Sequence, residues 1–129
     1  MRRWYLDTSA AAKLVIDEPE SDALADELRR HRPALVACLL LETELRRVAA
    51  REPALTQHAV SELLGGVDLY ELPPPLFVEA GLLPGPDLRS LDALHLAAAI
   101  RLEVEAVVTY DVRMTEAAKL LGMVTVAPA

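Results

Sequence analysis

Four acidic residues stand where their carboxylates could form a metal site. Asp7 and Asp111 each follow a short apolar run, Asp92 stands near the start of a long one, and Glu44 lies inside another. Carboxylates that come close together raise one another's pKa and destabilise the fold unless a cation offsets their charge. A hard divalent cation such as Mg²⁺ suits oxygen ligands and binds one or two carboxylates while it keeps several waters. The four acids therefore predict a divalent cation site, provided that the fold brings them together.

Such a site could support phosphodiester hydrolysis. An oxygen-ligated cation can polarise a phosphodiester and lower the pKa of a bound water, which yields a hydroxide nucleophile. The sequence has no cluster of cysteines and histidines, since Cys38 is its only cysteine, so a zinc site is not expected. Oxygen ligands alone do not distinguish Mg²⁺ from Mn²⁺.

Each aspartate also has a purely structural interpretation. Asp7 and Asp111 could cap the helices that follow them, and Asp92 could be a first-turn charge that favours a helix dipole. His95, one turn after Asp92, is expected to be a structural hydrogen-bonding partner rather than a general base. Cys38 is expected to be a small core residue with no histidine partner. The sequence alone leaves these alternatives for the aspartates open.

The acid contributed by the predicted helix 39–51 is ambiguous. Glu42 and Glu44 are two residues apart, which places them about 200° apart around a helix, so that they cannot both face one site. Glu42 has Arg46 four residues later, a spacing typical of an exposed ion pair. Glu44 lies nearer the apolar stripe that contains Leu41. Helical periodicity therefore favours Glu44 as the inward-facing acid.

Short strand-like runs alternate with longer helical segments along the chain. Strands are predicted at 2–6, 34–38, 67–72, 106–109 and 123–126. Helices are predicted at 10–16, 21–31, 39–51, 53–64, 76–83, 91–103 and 112–121. This alternation is typical of βαβ units and predicts a three-layer α/β fold with a mostly parallel sheet. We expect one domain over residues 1–129, a length usual for a single domain.

In folds of this class ligands bind outside the carboxyl ends of the strands. Asp7 and Asp111 are both expected at that edge, because each follows a predicted strand. Alternation within the first strand predicts that one of Trp4 and Tyr5 is buried. Ser90 is expected to cap the helix that carries Asp92.

Charge and composition exclude some classes of protein. The 129 residues carry 13 Lys and Arg against 20 Asp and Glu, a net charge of −7, which argues against a general nucleic-acid coat protein. Segment 29–51 is nevertheless basic, with six arginines against two glutamates. It could contact a polyanion or form an ion-paired helix surface. The single cysteine and the absence of a long apolar run predict a cytoplasmic protein without a membrane span.

The sequence resembles the PIN-domain ribonucleases and, among them, the VapC toxins of bacterial toxin–antitoxin modules. The resemblance covers essentially the whole chain and rests on four motifs in the family's order. These motifs are WYLDTSA at 4–10, ELRR at 44–47, LRSLDALHLA at 88–97 and VTYDVRM at 108–114. The resemblance implies an α/β/α sandwich and endonucleolytic cleavage of RNA that depends on Mg²⁺ or Mn²⁺.

The resemblance also assigns residues by motif position. It places the acidic site on Asp7, Glu44, Asp92 and Asp111. Asp7 and Asp92 are the expected direct metal ligands, and the other two acids would bind directly or through water. Thr8 and Thr109 match smaller polar positions that order waters or ligands. The candidates for holding the RNA backbone are Arg46, Arg47, Arg51 and Arg113.

The family implies partners as well. Its members form homodimers and are neutralised by a small VapB-type antitoxin, whose tail enters the acidic groove and often presents an arginine or lysine. Cys38 stands where the family often has serine, a difference that we expect to be tolerated. Three alternatives remain from the residues: a nuclease for DNA ends or flaps, a binding module that has lost its chemistry, and a phospho-receiver-like domain. The last would need an acidic pair after the first strand, which the sequence lacks.

Overall fold

A computed structural model describes residues 2–129, which form five strands and seven helices. The strands are β1 (Arg3–Leu6), β2 (Ala34–Cys38), β3 (Asp68–Tyr70), β4 (Ala106–Val108) and β5 (Thr125–Val126). The helices are α1 (Thr8–Val15), α2 (Ser21–His31), α3 (Leu40–Arg51), α4 (Gln57–Leu64), α5 (Pro74–Gly81), α6 (Ser90–Arg101) and α7 (Val112–Leu120). None of these helices is long and apolar enough to cross a membrane.

The strands form one parallel sheet in the order β3-β2-β1-β4-β5. From β1 the chain moves outward to β3 and then crosses back to β4 on the other side of β1. The strand order therefore reverses between β1 and β4, where Leu6 pairs with Val108. Open α/β sheets bind ligands at the carboxyl ends of such a switch point. The predicted α/β fold is confirmed, with every strand pair parallel.

Two groups of helices cover the sheet. Helix α1 packs against α2, α3 and α4, while α6 packs against α5 and α7. Because parallel crossovers are right-handed, the reversal of strand order at β1 places the two groups on opposite faces. The result is an α/β/α sandwich. Helix α6 is buried along most of its length, as expected for a crossover helix.

The central strand β1 is buried on both faces. Trp4 is 4% exposed, and Tyr5 and Leu6 are fully buried. The prediction that only one of the two aromatic residues is buried was therefore wrong. Alternation between buried and exposed positions fails here because helices cover both faces of a parallel sheet.

Five helix starts (α1, α3, α4, α5 and α6) differ from the sequence prediction, and the last three show how the helix is begun. Helix α4 begins at Gln57 rather than at Pro53, because the Thr56 hydroxyl caps it by accepting a hydrogen bond from the Ala59 amide at 3.1 Å. Helix α5 begins at Pro74, since proline is well suited to a first helical turn. Ser90 is the first residue of α6 rather than its cap, and Arg89 occupies the N-cap position.

Candidate functional site

Asp7 directly follows β1 at the switch point and is only 3% exposed. It occupies the N-cap position of α1, but its side chain makes no capping hydrogen bond. Instead, Oδ2 accepts hydrogen bonds from Ser9 Oγ at 2.8 Å and from Thr109 Oγ1 at 2.9 Å. Capping by the Asp7 side chain was therefore the wrong alternative. Its carboxylate is held by one hydroxyl from the first turn of α1 and another from the residue after β4.

Ser9 links the carboxyl ends of β1 and β4. Its Oγ donates to Asp7 and accepts a hydrogen bond from the Tyr110 amide at 2.9 Å. Thr109 Oγ1 in turn accepts from the Asp111 amide at 3.1 Å. Ser9 belongs to the first of the four sequence motifs, but no role in the site was predicted for it. No local pattern could have revealed its link to β4, since Thr109 and Tyr110 are about a hundred residues away in the chain.

Glu44 projects from α3 toward the same end of the sheet. Its Oε1 accepts hydrogen bonds from Thr8 Oγ1 at 2.9 Å and from His95 Nε2. Burial raises the pKa of the Glu44 carboxyl, but the interactions with His95 and Thr8 outweigh it, and the net pKa is lowered. Glu42 instead pairs with Arg46 at 2.9 Å. Helical periodicity therefore distinguished the two acids correctly.

His95 is fully buried in α6 and forms a hydrogen bond to Glu44 from the interior of the protein. Its Nδ1 lies 2.7 Å from Tyr5 Oη, which accepts a hydrogen bond from the Cys38 amide at 3.2 Å. Burial alone lowers the pKa of an imidazole, but the contacts with Cys38 and Glu44 outweigh it and raise the pKa of His95. The predicted structural role is confirmed, although the acid is Glu44 rather than Asp92.

A contact between cysteine and histidine was not expected, yet Cys38 Sγ lies 3.6 Å from His95 Nδ1. The two residues lie on β2 and α6, which pack together although they are far apart in sequence. Cys38 is also fully buried, as predicted for a core residue. It belongs to a buried polar network that supports Glu44.

Asp92 lies in the first turn of α6 and accepts no hydrogen bond from any described residue. Burial raises the pKa of its carboxyl, the carboxylates of Asp111 and Asp7 raise it further, and it reaches about 6. A favourable interaction with a helix dipole would lower this pKa. The helix-dipole alternative for Asp92 is therefore outweighed by burial and by the neighbouring negative charges.

Asp111 combines two roles. Its Oδ1 caps α7 by accepting hydrogen bonds from the amides of Arg113 at 2.8 Å and Met114 at 3.1 Å. The structural interpretation of Asp111 as a cap is therefore confirmed. The same side chain also lines the cavity that contains Asp92. Capping occupies only one of its two oxygens, so the other remains available to a ligand.

A cavity of about 370 Å³ opens at this end of the sheet. Its lining consists of Glu44, Arg89, Ser90, Leu91, Asp92, Asp111 and Arg113. A neighbouring cavity of about 480 Å³ shares Asp111 and Arg113 with it. Asp7 lies close behind, because Thr109 Oγ1 joins its carboxylate to the Asp111 amide. The structure thus brings together all four acids that the sequence singled out.

The predicted backbone-binding arginines fall in two places. Arg113 lines the cavity, whereas Arg46 is held on α4 by hydrogen bonds to Gln57 and Ser61, each at 3.1 Å. Arg47 and Arg51 are exposed on α3 and do not line it. Of the six arginines in segment 29–51, three are ion-paired: Arg29, Arg30 and Arg46.

The oxygen-rich lining suits a hydrated Mg²⁺ or Mn²⁺ ion. In residues 2–129, no three acidic, histidine or cysteine side chains are grouped closely enough to hold an ion by themselves. Mg²⁺ needs no such group, because it commonly binds one or two carboxylates and keeps several waters. Asp92 offers a carboxylate with no described protein donor, and the hydrogen bonds to Asp7 leave its Oδ1 open. These residues therefore fit the implied ion.

Comparison with known proteins agrees with this geometry. The family model described as PIN domain matches residues 4–120. The chain is 42% identical over 127 residues to Ribonuclease VapC46 of Mycobacterium tuberculosis, with 96% of both chains covered. It is 41% identical over 129 residues to Ribonuclease VapC35 of the same organism, again with 96% of both covered.

Solved structures share the fold. VapBC2 from Rickettsia felis, bound to a DNA fragment from its promoter, matches with a TM-score of 0.77 at 13% identity over 98% of this chain and 99% of that one. VapC20 of Mycobacterium tuberculosis, a sarcin-ricin loop cleaving toxin, matches with a TM-score of 0.71 at 18% identity over 88% and 94%. Together with the sequence relatives, these matches show that the chain belongs to the PIN-domain family, among the VapC ribonucleases that serve as toxins of VapBC toxin–antitoxin modules.

Proposed function

We propose that this VapC ribonuclease cuts RNA by divalent-metal-dependent hydrolysis at the cavity near the carboxyl ends of β1 and β4, within one PIN-like domain that spans residues 1–129. Asp7 and Asp92 bind the ion directly, and Glu44 and Asp111 bind it directly or through water. Mg²⁺ is the proposed ion, and Mn²⁺ can replace it. The observation that carries the proposal is the Asp92 carboxylate, which has no described protein donor and a pKa raised to about 6 beside other carboxylates.

The surrounding residues hold the carboxylates in place for this task. Ser9 and Thr109 fix Oδ2 of Asp7, so that Oδ1 points away from both hydroxyl groups. Thr8 joins His95 in fixing Oε1 of Glu44, which stays ionised because its pKa is lowered. When bound, the ion polarises the phosphodiester and lowers the pKa of the attacking water. Because these hydroxyl and imidazole groups hold the carboxylates in place, the site keeps its geometry without the substrate.

We further propose a VapB-type antitoxin and a second copy of this chain as partners. The antitoxin is supported by the fold shared with the Rickettsia felis protein, whose structure is that of VapBC2. The homodimer is supported by the apolar side chains that α5 and the residue after it expose, namely Phe77, Val78 and Leu82, which are 53%, 66% and 79% exposed. Exposed apolar patches commonly mark interaction sites. A cytoplasmic location is consistent with the single, unpaired Cys38.

A cleavage time course tests the proposed function. The purified chain is mixed with labelled transfer RNA or a matched DNA strand, in Mg²⁺, in Mn²⁺ or in EDTA. We expect cleavage of RNA alone, only with metal, and its loss in Asp92→Asn. The control is Asp22→Asn, which removes an exposed first-turn aspartate from α2. Since VapC substrates can be narrow, Mn²⁺ binding is measured in parallel by calorimetry. Cleavage by Asp92→Asn at the wild-type rate, or failure to bind Mn²⁺, would contradict the proposal.

A further inference from the structure

Two arginines border the acidic cavity without pairing to its carboxylates. Arg89 and Arg113 line the same cavity as Glu44, Asp92 and Asp111. Neither guanidinium forms an ion pair within the part of the chain that the structure describes, although both are exposed. By contrast, Arg29, Arg30, Arg46 and Arg101 all pair with nearby acids. The two cavity arginines therefore have their hydrogen-bond donors free for a ligand.

Their positions are also unfavourable for the helices that carry them. Arg89 is the N-cap of α6, and Arg113 is the second residue of α7. The N-terminal end of a helix carries a partial positive charge, which repels a cation there and favours an anion. Helix stability therefore explains neither arginine. An anionic ligand would be attracted by the guanidinium groups and by the helix ends together.

Arg89 and Arg113 offset much of the negative charge of the cavity. Three carboxylates and two guanidinium groups line it, so the lining carries −1, and one bound divalent cation would make it +1. Without the two arginines the cavity would stay negative even with the cation bound, and it would repel a phosphodiester. When Asp7 behind the lining is also counted, the site carries −2 and becomes neutral with the cation bound, whereas without the arginines it would stay at −2. The arginines thus offset negative charge that would otherwise repel a polyanion.

We infer that Arg89 and Arg113 form a two-sided clamp for RNA phosphates, one at the start of each helix that flanks the cavity. The inference rests on the proposed function, because the ligand it names is the RNA strand that this site would cut. Arginine suits the task since its planar group can bind phosphate oxygens through two parallel hydrogen bonds. Contacts to phosphates position a strand without reading its bases. Arg89 is not among the residues predicted from the sequence.

The test measures binding without cleavage. A fluorescein-labelled single-stranded RNA is titrated with the full chain carrying Asp7→Asn, which leaves the cavity lining intact, and anisotropy is followed at several salt concentrations. Adding Arg89→Gln or Arg113→Gln should weaken binding by about fivefold to tenfold and lower the salt slope by about 0.7 for each lost phosphate contact. Arg89→Lys and Arg113→Lys should keep the slope and recover part of the affinity.

Arg32→Gln is the matched control. Arg32 is exposed, lacks an ion pair among residues 2–129, and precedes β2 at the amino end of the sheet, opposite the cavity. It should change neither affinity nor slope. Unchanged slopes in both cavity variants, or an equal loss in Arg32→Gln, would overturn the clamp. If the wild type cuts RNA while the slopes stay unchanged, only the clamp fails. If it cuts no RNA but the slopes change as expected, the clamp holds and the proposed catalysis fails.

Discussion

Replacing Asp92 with asparagine should stabilise the metal-free protein. The Asp92 carboxyl has a pKa of about 6 against 3.8 in the absence of the fold, because burial and the charges of Asp111 and Asp7 disfavour ionisation. At about 1.36 kcal/mol for each unit of pKa, the difference corresponds to about 3 kcal/mol of lost stability at neutral pH. Asp92 is only half-buried, so solvent screening reduces the expected gain from Asp92→Asn to about 1–2 kcal/mol.

The pH dependence of this gain has a definite sign. An acid with a raised pKa binds its proton more tightly in the folded state, so ionisation destabilises the fold. The penalty is absent below about pH 4, grows as the pH rises toward 6 and is constant above that. The advantage of Asp92→Asn should therefore appear between these values and persist at neutral pH.

Urea unfolding in EDTA measures this effect across that pH range. At neutral pH the same gain should raise the melting temperature by about 3–8 °C. Asp22→Asn provides a control of opposite sign, because it removes a favourable first-turn charge from α2 and should cost about 0.3–1 kcal/mol. If Asp92→Asn is neutral or destabilising in EDTA at neutral pH, or if its effect does not change with pH, the carboxylates do not converge as described.

Three further predictions concern the ion and the buried network. At a hundredfold excess over its Kd, Mn²⁺ should stabilise the wild type by about 2.7 kcal/mol in thermal melts. A similar gain in Asp92→Asn at the same Mn²⁺ concentration would show that Asp92 is not a ligand. His95→Leu should cost about 3 kcal/mol in urea unfolding, because it leaves Glu44 and Tyr5 without their buried partner; a loss near zero would mean that the network is dispensable. Cys38→Ser should stay within about 1 kcal/mol of the wild type and cut RNA normally, since a hydroxyl can replace the thiol beside His95. Loss of cleavage in that variant would show that the thiol itself is needed.

Local sequence patterns predicted the order of strands and helices and singled out the four acids that lie at one end of the sheet. Strand β2 and helix α2 begin and end where their apolar runs and flanking prolines indicate. Helical periodicity separated Glu44 from Glu42, because an inward residue must share the apolar side of its helix. The rule that ligands bind at the carboxyl ends of parallel strands then located Asp7 and Asp111. These inferences succeeded because each depends on neighbours a few residues away.

Contacts across the sheet could not be predicted in the same way. Ser9 bonds to Tyr110, and His95 touches Tyr5 and Cys38, only because β1, β2, β4 and α6 pack side by side. Arg89 was not predicted, because the sequence around a residue that precedes a helix does not indicate that a cavity lies beside it. The prediction for Trp4 and Tyr5 was also wrong, because it assumed that buried and exposed residues alternate along a strand. Helices cover both faces of β1, so no such alternation exists there.

The pairing of β1 with β4 has a consequence for how the toxin gains its activity during synthesis. During synthesis β1 must wait for β4, which lies about a hundred residues later in the chain, and contacts between such distant segments form slowly. Until then Asp7 lacks the Thr109 hydroxyl, and Asp111 has not joined it. A nascent chain is therefore expected to be inert until β4 and Asp111 have been made. The order of folding would itself delay the proposed cleavage of RNA until the site has been assembled.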